Sequence, residues 1–315
     1  MKKKFVMMII AILMLCGCTS NNNSVDDNEV VEEEGWVYEG PSYEELYESI
    51  GKAEVDLSEA DGKLAEILEK GYIVVATSPD YPPSEYIDPE TGEVKGCEIL
   101  LAKYIANSLG VELKIETMDF AGVLVSLDTG KTDLAVSGFG WKEDRAELYE
   151  LSNGYYYDDS TDHHTIVVLA ENADQYDSLE DFAGKTIDAQ ANSLQHMYCE
   201  DQLPDTTLNL VATLDQAILD LQTGKVDAVA FDATTARNYA ESSGGMFVSL
   251  YAEKGIEFDL SMYGDYKGTV AACKKGEVSL MNAINQIIDQ MMAEDKYAGM
   301  YYAACADAGV EPGEE

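Results

Sequence analysis

Only two arginines occur in this chain, Arg145 and Arg237. Arg145 stands just past a glycine-rich stretch, Ser137-Gly138-Phe139-Gly140. A guanidinium there offers a planar fork to a carboxylate. The plainer use is a surface pair with Glu143, Asp144 or Glu147. Asp232 ends an apolar run, Ala228 to Phe231. An acid at the carboxyl end of a strand can take an ammonium, or simply cap the next helix. The three histidines, His163, His164 and His196, do not suggest a metal site, because two adjacent side chains do not readily face one ion. Nucleophile-elbow, phosphate-loop and zinc-protease motifs are missing from the sequence, so no catalytic residue is assigned. Cys97, Cys199, Cys273 and Cys305 are scattered; Cys97 and Cys273 lie in apolar runs and read as buried thiols. Four cysteines allow three pairings, and the sequence does not choose among them.

The elements that would carry these residues alternate. Tyr72 to Thr77 reads as a buried strand, Cys97 to Leu109 as a helix, and Leu113 to Met118 as another strand. Strands alternating with helices argue for parallel sheets in an α/β fold. A stretch also repeats. Leu127, Thr129, Gly130, Lys131 and Asp133 return as Leu221, Thr223, Gly224, Lys225 and Asp227, 94 residues on. Each copy reads as a helix, a turn whose glycine takes a left-handed conformation, and a short buried strand. Two copies so far apart imply two lobes of similar architecture, not a solenoid. Ligands in open α/β sheets bind beyond the carboxyl ends of the strands. Those ends are Ser137–Gly140 in one copy and Phe231-Asp232 in the other, so facing lobes would make a cleft.

The ordered motifs resemble family 3 solute-binding proteins of amino-acid ABC transporters, which have the type II periplasmic-binding fold. They are Gly71–Val75, Asp80-Tyr-Pro-Pro83, Gly96-Cys-Glu-Ile99, Asp119-Phe120, Leu127–Asp133, Glu143–Arg145, Leu179–Ile187, Val226–Asp232 and a last helix with Asn285. The resemblance implies that Arg145 grips an α-carboxylate and Asp232 an α-ammonium. It places Tyr81 and Phe120 against the ligand side chain. Gly138 and Gly140 would offer backbone groups, and Ser193 a helix start that attracts a carboxylate. Lys142, Ser84, Asn192 and Ser78 depart from the family's usual Thr, Phe, Gly and, in some binders of basic amino acids, acid. The implied partners are an amino acid, a permease and its ATPase; the protein is expected to be a monomer without cofactor. An enzyme on the same fold, of prephenate or arogenate dehydratase type, and a sensing lipoprotein without transport are the alternatives.

The amino terminus reads as an address. Lys2 to Lys4 precede an apolar run, Phe5 to Leu15, too short to span a bilayer. Leu15-Cys16-Gly17-Cys18 then resembles a lipoprotein signal, which implies cleavage before Cys18, lipid on its thiol and an extracytoplasmic, membrane-anchored product. Residues 19–49 hold ten acids and no Lys or Arg, so they read as a self-repelling spacer, with a docked acidic arm as the alternative. The expected domains are a signal peptide over 1–17, an acidic spacer over 18–60, a first lobe of 61–162 plus 272–315, and a second of 163–271. The whole chain has 20 Lys and Arg against 60 Asp and Glu in 315 residues, a net charge of -40. Such a field does not gather nucleic acid. With 46% hydrophobic residues, large cores are possible and wholesale disorder is excluded.

Overall fold

The computed structural model describes residues 36–156, 163–263 and 267–313. In chain order the elements are α1 (Tyr43–Ser49), α2 (Gly62–Lys70), β1 (Tyr72–Thr77), β2 (Asp80–Tyr81), β3 (Glu85–Ile87), β4 (Val94–Lys95), α3 (Cys97–Leu109), β5 (Glu112–Thr117), α4 (Phe120–Asp128), β6 (Leu134–Ala135), α5 (Glu143–Leu148) and β7 (Tyr149–Leu151). There follow β8 (His164–Leu169), β9 (Thr186–Gln190), α6 (Leu194–Gln202), β10 (Thr207–Val211), α7 (Leu214–Gln222), β11 (Ala228–Asp232), α8 (Ala233–Ser242), β12 (Phe247–Ser249), α9 (Leu250–Lys254), β13 (Ala272–Lys274), α10 (Val278–Ala293) and α11 (Lys296–Ala308).

Two five-stranded sheets form, β5-β1-β6-β13-β7 and β10-β9-β11-β8-β12, with a small sheet β2-β3-β4 beside the first. In each large sheet the strands linked by helical crossovers run parallel. Strands β13 and β8 then join antiparallel. The chain leaves the first sheet after β7, builds the second, and returns at β13.

The repeat is visible in three dimensions. Helices α4 and α7 have nine residues each and start 94 residues apart. Gly130 (φ +70°) and Gly224 (φ +71°) turn the chain after them, where a side chain would be strained. The repeated acids do the same work. Asp133 Oδ2 accepts the N–H of Val74 at 2.8 Å, and Asp227 Oδ2 that of Thr186 at 2.9 Å. Each carboxylate thereby ties the turn after one helix to the neighbouring strand.

The first lobe packs α3 and α10 on its sheet, with α11 against both helices. Leu101, Ile105, Leu280, Ile284 and Ile287 share its core, and each such side chain contributes about 1.5–3 kcal/mol on burial. The second lobe has cores on both sheet faces, around Phe182, Ile187 and Phe258 and around Val229, Leu221 and Phe231. Past α11 the chain reaches toward the second lobe: the carbonyls of Glu311 and Pro312 accept from Arg237 Nη2 on α8, at 3.2 and 2.8 Å.

The expected spacer over residues 18–60 is corrected from Tyr43 onward. Ser42 and Glu45 form a capping box for α1. Tyr43, Ile50 and Ala53 are buried in the first-lobe core. Repulsion among the acids does not extend this segment, because Lys95 supplies a counter-charge. Its Nζ lies 2.7 Å from Glu44, 2.7 Å from Asp88 and 3.3 Å from Asp307. The signal-like segment, Cys18 and the spacer up to residue 35 lie outside the described residues. Among the described residues no helix is long and apolar enough to cross a membrane, and Cys97, Cys199, Cys273 and Cys305 are buried and in no disulfide.

Candidate functional site

The seven residues singled out in the sequence, Tyr81, Phe120, Gly138, Gly140, Arg145, Ser193 and Asp232, line a single cavity. They reach it from both lobes. Tyr81 comes from the small sheet, Phe120 from the start of α4, and the two glycines from the turn after β6. Arg145 lies on α5, Ser193 caps α6, and Asp232 ends β11.

Arg145 is buried, with Nη2 donating to the Asn192 carbonyl at 3.0 Å and Nη1 to that of Gly140. Its guanidinium lies 4.9 Å above the Phe139 ring, which in turn packs on Phe120 at 4.6 Å between centroids. The aromatic pair therefore fixes the plane of the fork. Asn192 presents its carbonyl from a left-handed turn, φ +66°. Asn tolerates that conformation better than most residues, which explains how it serves at a position where the resembling family has Gly.

Asp232 does one of the two jobs considered for it, the helix cap, and holds a hydroxyl from the other lobe as well. Oδ1 caps α8 by accepting the Thr235 N–H at 2.9 Å, and Oδ2 accepts the Tyr81 hydroxyl at 2.9 Å. Burial pushes its carboxyl above the usual range, while the Thr235 and Tyr81 donors pull the other way. Gly138 has φ +56°, and a Cβ there would meet the Tyr81 ring at 3.2 Å. Its N–H is given to Glu98 at 3.3 Å. Ser193 Oγ caps its own helix through the His196 N–H at 3.0 Å.

Sequence reasoning missed several lining residues. Glu85, Glu98, His164, Gln190, Gln195 and Tyr297 also border the cavity. His164 pairs in register with Asp232 across β8 and β11, and its Nδ1 lies 3.0 Å from the Gln195 amide nitrogen. Its place beside Asp232 follows from strand pairing, which the adjacent His163-His164 does not announce. Glu98 accepts from Tyr155 at 2.6 Å, Tyr297 at 2.8 Å and Gly138. Burial raises its carboxyl pKa, and these three donors oppose the rise. Glu85 is raised well above the carboxylate range, by burial first and then by the charge of Glu98.

Comparison with known proteins gives this geometry its context. The sequence profile of the bacterial extracellular solute-binding proteins, family 3, matches residues 73–303. The arginine-binding extracellular protein ArtP of Bacillus subtilis is 28% identical over 179 residues, 55% of this chain and 66% of the relative. The L-cystine-binding protein TcyA of the same organism is 26% identical over 235 residues, 73% of this chain and 80% of the relative. A crystal structure of the amino acid ABC transporter substrate-binding protein AbpA from Streptococcus pneumoniae, bound to L-arginine, superposes with a TM-score of 0.69. It is 29% identical, and the match covers 79% of this chain and all of the other. The ancestral amino acid-binding protein AncCDT-1, a precursor of cyclohexadienyl dehydratase, superposes with a TM-score of 0.65 at 26% identity, covering 76% of this chain and 98% of the other. With a family match across most of its length and the type II periplasmic-binding architecture around its cavity, the chain belongs to the bacterial extracellular solute-binding proteins, family 3.

Proposed function

We propose that the protein is an extracytoplasmic receptor that binds an amino acid between its lobes and delivers it to the permease and ATPase of an ABC importer. One observation carries the reading: a buried arginine and a buried aspartate, from different lobes, line the same cavity. An α-amino acid holds opposite charges on one carbon. Arg145 takes the carboxylate, a stronger acceptor than the carbonyls it now holds, and Asp232 takes the ammonium. Tyr81 and Phe120 flank the ligand side chain; Gly138, Gly140 and Ser193 complete the wall. A ligand that touches both lobes has differential affinity for the closed form and so favours it.

The receptor acts without catalysis or a cofactor, as a monomer of two lobes, 61–162 plus 272–315 and 163–271, tethered to the membrane by lipid on Cys18. A dehydratase-like activity is the second reading. The likeness to AncCDT-1 favours it, although that neighbour is itself described as an amino acid-binding protein.

A thermal-shift panel of the twenty amino acids, cystine, ornithine and prephenate tests the reading. A ligand at 100 times its Kd adds about 2.7 kcal/mol of stability. Arg145→Ala is expected to cost about 2–4 kcal/mol of affinity for every amino acid that binds, since the fork reads the shared carboxylate. An unchanged affinity defeats the clamp, and turnover of prephenate defeats the receptor reading. Cys18→Ser is expected to release the protein from the membrane fraction; retention with normal processing argues against the lipid anchor.

A further inference from the structure

The receptor reading accounts for one acid and one base in the cavity wall, but three acids are there. Glu85, Glu98 and Asp232 line it against a single arginine. An α-carboxylate and an α-ammonium use Arg145 and Asp232, one each. Glu85 and Glu98 then stand at the same cavity with no lysine and no second arginine among the lining residues to oppose them.

The two glutamates are brought together by backbone, not by chance of rotamer. Gly96, at φ +127°, begins α3 so close to Ser84 that a Cβ there would sit 2.1 Å from the Ser84 carbonyl oxygen. That carbonyl accepts the Glu98 N–H at 2.9 Å, and the Pro83 carbonyl accepts the Cys97 N–H at 3.0 Å. The first turn of α3 is thus laid on β3, and Glu98 faces Glu85.

Their hydrogen bonding differs. Both Glu98 oxygens are occupied, by Tyr297 on one side and by Tyr155 and the Gly138 N–H on the other. Glu85 has only Oε1 engaged, by the Ser137 hydroxyl at 2.9 Å. Its Oε2 is buried, in a residue 1% exposed, and has no hydrogen-bond partner. A buried oxygen left unpaired has lost its hydration without compensation, unless a bound molecule pairs with it. Ser84 and Glu85 both line the cavity.

We infer that Glu85 is a specificity-determining residue, and that the ligand is an amino acid whose side chain carries a cation, an ammonium or guanidinium, that donates to Glu85 Oε2. The inference rests on the receptor reading and names its substrate class. A cationic side chain supplies both the missing donor and the missing counter-charge. A neutral side chain of the same shape supplies neither.

The test is calorimetric titration of the full mature chain with L-arginine, L-lysine, L-citrulline and L-norleucine, for the parent and for Glu85→Gln. The parent is expected to bind arginine over citrulline, or lysine over norleucine, by at least about 30-fold, the worth of one charge-assisted bond at 1.4 kcal/mol per tenfold. Glu85→Gln is expected to reduce that ratio at least tenfold while leaving the neutral analogues within about threefold. A parent ratio below about threefold in both pairs overturns the inference without recourse to any variant. A ratio that Glu85→Gln leaves unchanged, in protein shown folded by its melting curve, also overturns it. If no amino acid binds the parent, both this inference and the receptor reading fall; if neutral amino acids bind equally well, only this one does.

Discussion

Asp80 reaches across the cleft to Gln190: its Oδ2 accepts the Gln190 Nε2 at 2.8 Å and, with it, the Leu214 N–H at 2.9 Å. Leu214 opens α7, so the carboxylate also sits at a helix amino terminus, where negative charge is favoured. Burial still raises the Asp80 carboxyl pKa, the Leu214 and Ser78 donors opposing it. Its neighbour Tyr81 crosses as well, to Asp232. Two consecutive residues of one short strand thus fasten the small sheet of the first lobe to the second.

Asp80→Ala is expected to loosen closure. Losing two bonds to a charged acceptor at about 1.5–3 kcal/mol each, partly replaced by water, leaves a net cost of about 1–3 kcal/mol. Small-angle scattering should show a larger radius of gyration without ligand, and affinity for the best amino acid should fall about tenfold. An unchanged radius and affinity would show that this fastening does not set the closed form.

Tyr81→Phe keeps the ring and removes one hydroxyl. Asp232 Oδ2 then loses the Tyr81 donor in the unliganded protein, at about 1–2 kcal/mol. A ligand ammonium replaces that donor. The stability loss in urea should therefore be larger without amino acid than at saturation. Equal losses in both conditions would contradict the assignment of Asp232 to the ammonium.

Gly96→Ala tests the backbone approach that pairs Glu98 with Glu85. The left-handed φ and a clash with rigid carbonyl atoms act together. A destabilisation of about 3 kcal/mol or more is expected, read as a lowered urea midpoint. Gly71→Ala has a positive φ but open space around it, and should cost about 1 kcal/mol. Equal costs would mean that the approach at Ser84 is unimportant.

The pH dependence has a defined contributor in the second lobe. Burial pushes the Asp188 carboxyl from 3.8 up to about 6, against the Asn209 amide that donates to it at 2.7 Å. The folded chain therefore holds a proton between about pH 4 and 6 that the unfolded chain has released. The penalty is absent below pH 4 and complete above pH 6, so stability from this group falls as pH rises. Asp188→Asn should match the parent at pH 4 and exceed it by on the order of 1–2 kcal/mol at pH 7. A constant difference at the two pH values would place the effect elsewhere.

The parts legible in sequence were those with a period or a local reason. The 94-residue repeat marks two helices with matched starts because helix, glycine turn and strand are local choices. Arg145 and Asp232 could be found because each follows a strand end. The Glu85–Glu98 pair could not, since it depends on how closely Gly96 lets one backbone approach another. Asp80 and Gln190 meet only when two lobes are packed. Residues 43–53 misled for a different reason: acidic composition describes a free chain, whereas Tyr43, Ile50 and Lys95 supply a core and a counter-charge that act at long range in sequence.

Arg237, the second of the two arginines, gives the molecule an unequal pair of ends. Its guanidinium holds the carbonyls of Glu311 and Pro312, so the carboxyl-terminal tail is a tie between two plates, while the segment from Tyr43 is riveted to one plate alone. A load applied before residue 37 is borne by a single lobe and leaves the jaw angle alone. A load applied after residue 313 pulls on the tie itself. A fluorophore or fusion at the carboxyl end would therefore report on, and also perturb, the opening of the jaws, whereas the same group at the amino end would ride silently.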